Sequence, residues 1–308
     1  MKKKISIITP TFNEGSNIEK LCLLISGEMS KLDYEYEHIV IDNSSTDSTV
    51  SILRKIASKD KNLKVIINSR NFGHIQSPVH GILQASGDAV ILMSSDFQDP
   101  ISLIPTYLKE WENGHKVVMA QKVSTDEGKK MKYLRAIFYK VIKYISELPL
   151  LVNTTGAGLF DRSIVEEIRK INDPYPYFRG LISEITNDIK LMPFHQPKRE
   201  HGKTKNNFYT LYDIGVLGII KHSKIPLRLV TFIGLVVSVL SFLVAIIFFF
   251  RKLFDWERFD AGIAPLIIGF FLIASLQVFL LGFIGEHIMN IQTQTRNVRV
   301  IEKERINF

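Results

Sequence analysis

Ala89-Val90-Ile91-Leu92-Met93-Ser94-Ser95-Asp96-Phe97-Gln98-Asp99-Pro100 is an apolar run that breaks abruptly into oxygen-bearing side chains. A strand with no polar face is buried on both sides, as in a parallel sheet covered by helices. The chain before it repeats the pattern. Gly73 to Ala85 reads as a helix, Leu63 to Ile67 as a strand, and Ser45-Thr46-Asp47 as a helix start followed by Val50, Leu53 and Ile56. His38 to Ile41 is a strand ending at Asp42. Gly15 to Met29 carries Ile18, Leu21, Leu24 and Ile25 at helical spacing, and Ile5 to Thr9 is a first strand that Pro10 ends. Strands alternating with helices predict an α/β, Rossmann-like, mostly parallel sheet with helices on both faces. Ligands of such sheets bind beyond the carboxyl ends of the strands, so Thr9-Pro10, Asp42 and Ser94 to Asp99 converge on one rim. There is no G-x-G-x-x-G and no G-x-x-x-x-G-K-[ST], which removes the dinucleotide fingerprint and the P-loop.

The 308 residues suffice for one α/β domain and an accessory region. The net charge of +8 fits nucleic acid, an anionic membrane surface or anionic small substrates. No nucleic-acid motif with interleaved aromatics is present, so nucleic acid is not an expected partner. One cysteine, Cys22, excludes an intrachain disulfide framework and fits a reducing compartment. Lys2, Lys3 and Lys4 precede a strand rather than the apolar core of a signal peptide.

Hydrophobic residues make up 46% of the chain but crowd its last third. Leu229 to Phe250 and Ala261 to Gly285 contain no charged residue, and each exceeds the ~20 apolar residues that cross a bilayer. They predict two transmembrane helices within 229–286. Basic flanks (Lys221, Lys224 and Arg228 before, Arg296, Arg299, Lys303 and Arg305 after) place residues 1–205 and the tail, 287–308, in the cytoplasm. The expected location is therefore the inner, cytoplasmic membrane, multi-pass. Residues 206–228 form a juxtamembrane segment whose amphipathic part, Phe208 to Ile220, suits either the interface or ordinary packing. Ser124 to Lys130 reads as a polar loop, and Met131 to Ile145 as a basic amphipathic helix.

A family resemblance rests on motifs in order: Thr9-Pro10-Thr11-Phe12-Asn13-Glu14, Val40 to Asp47, Ser69-Arg70-Asn71-Phe72-Gly73-His74, Gly87-Asp88, and Ser95 to Pro100. They resemble family 2 glycosyltransferases of the GT-A fold. Tyr177-Phe178-Arg179-Gly180 and Arg199 to Lys205 resemble the branch that includes dolichol-phosphate mannose synthase and bacterial undecaprenyl-phosphate sugar transferases. The resemblance implies inverting transfer from a nucleotide sugar, with UDP the expected nucleotide, to a polyprenyl (undecaprenyl) phosphate, for cell-surface glycan assembly or modification. Its relatives include homo-oligomers. By the same resemblance Pro10, Thr11, Asn13, Glu14, Asp42 and Asp96 bind the nucleotide, and Asp96, Gln98 and Asp99 hold Mg²⁺ or Mn²⁺. Asp42 also reads as a turn cap, and Asp99 as the cap of a helix beginning at Pro100.

Relatives often carry acids at positions 43 and 94, where this chain has Asn43 and Ser94. Thr155 to Leu159 also departs from the family pattern and receives no catalytic role. A leaving pyrophosphate calls for a hard cation on oxygen ligands. A phosphate acceptor is already anionic and needs cations rather than a strong base. Arg135, Arg179, Arg199, Lys203 and Lys205 are the candidates, with Asp96, Gln98, Arg199 and Lys205 the expected catalytic set. The same basic residues also suit lipid headgroups. Two other readings are a glycosyltransferase with a different lipid acceptor and a non-catalytic membrane scaffold.

Overall fold

In the computed structural model, residues 2–124, 154–197 and 300–308 are described, with isolated positions between 232 and 291. Strands β1 (Lys4–Thr11), β2 (Glu35–Asp42), β3 (Leu63–Asn68) and β4 (Ala89–Leu92) are parallel. Helices α1 (Ile18–Met29), α2 (Thr49–Ala57) and α3 (Gly73–Gln84) connect them. Next come α4 (Leu103–Glu112), β5 (Val117–Ser124), β6 (Thr154–Asp161), α5 (Arg162–Ile171), α6 (Phe178–Ile185) and β7 (Lys190–His195). A last strand, β8 (Glu302–Ile306), completes a sheet of order β7-β5-β6-β4-β1-β2-β3-β8. Only β6 and β8 run antiparallel to their neighbours, so the mostly parallel α/β sheet expected from the sequence is the one found.

Successive strand residues point to opposite faces. Ile5, Ile7, Val40, Val65 and Ile91 meet α1, α2 and α4 in one core, while Ile8, Ile39, Ile41, Ile66 and Val90 meet α3, α5 and α6 in the other. At Gly81 a Cβ would strike the side chains of Ile41 and Ile8, so α3 lies close against the sheet. Cys22 is buried in the first core, as a small hydrophobe.

Two sequence expectations are corrected. Pro10 does not end β1, which runs to Thr11 with Pro10 opposite Ile41. On the other side β4 has stopped at Leu92, opposite Ile8, so there the missing Pro10 N–H has no strand to pair with. The residues read only as a basic tail contribute β8, paired with β3 from Asn68↔Glu302 to Val65↔Ile306. Beyond it the Asn307 amide donates to the carbonyls of Ala57, Asp60 and Leu63 at 2.7, 3.2 and 2.9 Å. A charged edge strand of this kind shields the apolar β3 from pairing with other chains.

Two buried groups on β2 set an acid limit. Burial drives the His38 pKa down to about 3, leaving a neutral ring 2.9 Å from Thr9 Oγ1. For Glu37, burial opposes the charge, but hydrogen bonds from Lys64, Ser6 and Ser86 outweigh it and hold the carboxyl at about 2. Both folded values lie below the ordinary 6.5 and 4.5, so each contribution is complete above those pH values and is lost as pH falls through the folded value. Urea denaturation is expected to show stability falling from pH 6.5 downward, by up to ~1.4 kcal/mol per pH unit for each group. His38→Asn should flatten the part above pH 4.5. A level profile there in the parent chain would contradict the burial argument.

Among the described residues no helix is long and apolar enough to cross a membrane. The runs 229–250 and 261–285, the segment 206–228, the loop expected over 124–130 (apart from Ser124, which ends β5) and the helix expected over 131–145 lie wholly or mostly outside the described residues.

Candidate active site

In the loops that follow β1, β2 and β4, one non-glycine residue each adopts left-handed backbone: Asn13 (φ 57°), Ser44 (φ 64°) and Phe97 (φ 59°). Such conformations are costly for side-chain-bearing residues and cluster at functional rims.

The loops after β1 and β2 are clasped together. Asn13 N donates to Ser45 Oγ (2.8 Å), Thr46 N to Asn13 Oδ1 (2.8 Å), Glu14 N to Thr49 Oγ1 (3.0 Å) and Gly15 N to Asp47 Oδ2 (3.0 Å). Asn17 Nδ2 donates to Glu14 Oε2 at 2.6 Å. Asn13 and Glu14 thus hold the loop after β1 against the loop after β2. Asp42 is fully buried, and its Oδ2 accepts from Ser45 N at 2.9 Å, so the turn-capping reading is realised by one oxygen. Its Oδ1 and the nearby Thr11 Oγ1 are buried without a partner among the described residues. Burial is the main cause that raises the Asp42 pKa above its ordinary value. Unsatisfied buried oxygens are uncommon and suit a ligand that brings donors.

Asn43 has a task that an acid could not perform. Its Nδ2 donates to Asn71 Oδ1 (2.8 Å) and to the Gly73 carbonyl (3.2 Å). Its Oδ1 accepts from Asn68 Nδ2 (3.1 Å) and Phe72 N (2.9 Å). This pins the turn that starts α3. Asn43→Asp would set carboxylate oxygens against two acceptors in a buried place and is expected to cost ~2–4 kcal/mol, read as a lower denaturation midpoint. An unchanged midpoint would mean that the turn holds without this amide.

Past β4, Asp96 is buried and its Oδ1 accepts from Gln98 N at 3.1 Å. Asp99 Oδ2 accepts from Ser94 N (3.1 Å) and Ser94 Oγ (2.7 Å). The helix expected at Pro100 is absent: residues 100–102 form a turn, and α4 begins at Leu103 with Ser102 at its N-cap. Asp99 therefore does not cap α4. Its carboxylate turns back to the serine that stands where relatives often have an acid.

A cavity of about 230 Å³ opens beside this turn. Pro10, Ser94 and Asp99 line it from the strand ends, His74 from the first turn of α3, and Tyr177 and Arg179 from α6 and its approach. The cavity joins residues that the sequence reading assigned to nucleotide, metal and acceptor. Asp96, Gln98, Asp42, Thr11, Asn13 and Glu14 are not among its lining residues. Arg179 Nη1 donates to the Thr154 carbonyl at 3.2 Å, with the guanidinium 5.8 Å from the Tyr177 ring centre. Burial lowers the His74 pKa, which favours a neutral imidazole on the wall. Gly156 (φ 89°) and Ala157 also line the cavity, although sequence reasoning gave their segment no role. No local signal could have found them, because the antiparallel placement of β6 against β4 brings them there. Arg135, Arg199, Lys203 and Lys205 lie outside the described residues.

The donors around β4's end are all oxygens: the carboxylates of Asp96 and Asp99 and the amide of Gln98. That set fits a hard divalent cation that keeps some water or phosphate ligands. No group of three or more histidine, cysteine or acidic residues forms a closed metal cage among the described residues.

The sequence profile described as "Glycosyl transferase family 2" matches residues 6–169, more than half of the chain. The chain belongs to glycosyl transferase family 2. Within that family it is 30% identical to a bactoprenol glucosyl transferase of Shigella phage SfII, over 96% of this chain and 95% of that one. It is 29% identical to a prophage bactoprenol glucosyl transferase homolog of Escherichia coli K12 (97% and 99%) and to a putative glycosyltransferase, CsbB, of Bacillus subtilis (95% and 88%). Mannosyl-3-phosphoglycerate synthase from Rubrobacter xylanophilus shares the fold, with a TM-score of 0.51 at 14% identity over 71% of this chain and 72% of that one. As a family 2 glycosyltransferase the chain is an enzyme, and the rim of its sheet is the place to look for its chemistry.

Proposed function

We propose that this glycosyltransferase moves a sugar, with inversion, from a UDP-linked donor to polyprenyl phosphate at the cytoplasmic face of a membrane. The observation that carries the reading is the cavity in which Pro10, Asp99 and Arg179 meet. It offers one space to a donor at the strand ends and to an anionic acceptor held by a guanidinium. The names of the phage and prophage relatives support a polyprenyl acceptor.

In this reading Asp42 Oδ1 and Thr11 Oγ1 receive hydrogen bonds from the base or ribose, which satisfies two buried oxygens. Asn13 and Glu14 hold the loop that closes on the nucleotide. Asp96, Gln98 and Asp99 would hold Mg²⁺ or Mn²⁺, which neutralises the diphosphate as it leaves. Ser94 keeps Asp99 oriented. Arg179 binds the acceptor phosphate, joined by Arg135, Arg199, Lys203 and Lys205. The acceptor is already an anion, so positioning and charge neutralisation supply most of the rate.

Membrane attachment is supported by the two charge-free apolar runs. It is further supported by the exposed large side chains that helical positions within them present, such as Phe232, Leu240, Leu266, Phe270 and Leu281. Exposed apolar surface of this kind calls for a lipid or protein covering. The decisive experiment combines purified enzyme in detergent with undecaprenyl phosphate, Mn²⁺ or Mg²⁺, and a panel of radiolabelled nucleotide sugars. A labelled lipid from one donor, lost on chelation, is expected. No labelled lipid from folded enzyme with any donor would overturn the acceptor assignment and favour another lipid acceptor.

A further inference from the structure

In a single displacement the transferred sugar lies between the diphosphate that leaves and the phosphate that attacks. In the reading above those two groups are held by the turn after β4 and by Arg179. Ser94 and Asp99 from that turn and Arg179 all line the cavity of about 230 Å³. An apolar cavity of ~150 Å³ already takes a bare six-membered ring. This cavity therefore seats a sugar ring and leaves room beside it for a substituent.

The room is walled mainly by hydrocarbon. Ile75, Pro78 and Val79 come from α3, Leu92 from the end of β4, Ala157 from β6 and Phe178 from α6. Two consecutive small residues open it on the β6 side. Gly156 has φ 89°, a conformation that disfavours any side chain, and a Cβ built there meets nothing within 4 Å among the described residues. Ala157 is buried and fills the next position with a single methyl. Polar groups on the same lining include His74, Ser94, Asp99 and Arg179. Together they offer hydrogen-bond donors and acceptors.

Sugar substituents differ in how they suit such a place. A hydroxyl turned to the hydrocarbon wall loses its water and gains no partner. A carboxylate would be drawn out of water beside the carboxyl of Asp99, which opposes its charge. An acetamido group brings a methyl for the wall, and an amide N–H and carbonyl for the polar groups at its edge. We propose that the recess formed at Gly156 and Ala157 is a subsite for the acetamido group of an N-acetylated hexose, so that the donor is a UDP-N-acetylhexosamine and Ala157 is the residue that admits it. This rests on the donor reading above. That reading places the nucleotide at Asp42 and Thr11, neither of which lines the cavity, so sugar choice and nucleotide binding are separately measurable.

The test is titration calorimetry on the full-length enzyme in detergent with Mn²⁺ and no lipid. The ligands are UDP, UDP-glucose, UDP-galactose and the N-acetylated counterparts of the two sugars. An N-acetylated donor is expected to bind at least about tenfold more tightly than its unacetylated partner, as filling an apolar pocket with a small group gives. Ala157→Leu puts a side chain into the recess and should abolish that ratio while UDP itself binds as before. Equal affinities within both pairs of donors in the parent chain, or tighter unacetylated donors, would overturn the subsite and leave the UDP reading standing; this arm does not depend on how the variant folds. A ratio that survives in folded Ala157→Leu would remove Ala157 from the choice. Undecaprenyl phosphate that displaces the N-acetylated donor but not UDP would give the recess to the lipid chain and likewise overturn the proposal. UDP that fails to bind folded enzyme would overturn the donor reading and the subsite with it.

Discussion

Asp96→Ala is expected to abolish sugar transfer, with kcat lowered by at least ~10³-fold, while the protein stays folded. The argument is local. Asp96 sits at the first polar turn after β4, together with the oxygen-bearing side chains of Gln98 and Asp99. Its Oδ1 accepts from Gln98 N within that turn, outside both helix-covered cores. Circular dichroism and a thermal melt check the fold, and the transfer assay checks the rate. A second readout separates metal holding from other roles: Mn²⁺ with UDP should raise the Tm of the parent and not of the variant, since only a ligand that binds the native state stabilises it. Substantial activity in Asp96→Ala would remove Asp96 from the metal site.

Asp42→Asn is expected to act in opposite directions on binding and stability. The carboxylate is fully buried, one oxygen has no partner among the described residues, and burial raises its pKa. A folded pKa above the unfolded value means a contribution that is present at low pH and lost as pH rises through the folded value, so at neutral pH the charge costs stability. Asparagine keeps an acceptor for Ser45 N and removes the charge, so the empty protein should melt higher. The amide presents a donor where the nucleotide needs an acceptor, so donor affinity should fall ~100-fold or more. Titration calorimetry with UDP and thermal melts without ligand test the two arms. A lower Tm together with unchanged affinity would show that Asp42 serves only as a turn cap. Stability withheld at a binding site in this way is a common trade.

Much of the fold was legible because periodicity and burial coincide here. His38 to Ile41 and Ala89 to Met93 are apolar on both faces because helices cover both faces, and the observed strands contain or overlap those runs. Pro10 was misread because its cost depends on which neighbour stands beside it, and β4's early end is not a property of residue 10. Asp99 was read as metal ligand or helix cap. Its bond to Ser94, five residues earlier, required the turn to fold back on itself. Arg179 was found through its motif, whereas Gly156 and Ala157 were not, since nothing in their own sequence tells that β6 inserts beside β4.

The sequence by itself determined the alternation of strands and helices, the rim on which Pro10, Asp42 and Asp96 to Asp99 gather, and the two charge-free runs near the end. Each follows from local chemistry: side-chain polarity at period 2 or 3.6, and turn residues at strand ends. Only the tertiary structure decided that β6 lies between β4 and β5, that Asn43 pins the start of α3, and that residues 302–306 return to close the sheet beside β3. Those choices depend on contacts between residues up to about 240 positions apart in a chain of 308, as for Ile306 against Val65. The charged run Glu302-Lys303-Glu304-Arg305 carries no apolar pattern to announce a strand. It becomes one because β3 presents an unpaired backbone edge, and hydrogen-bonding groups left open there are satisfied by whatever chain arrives in register.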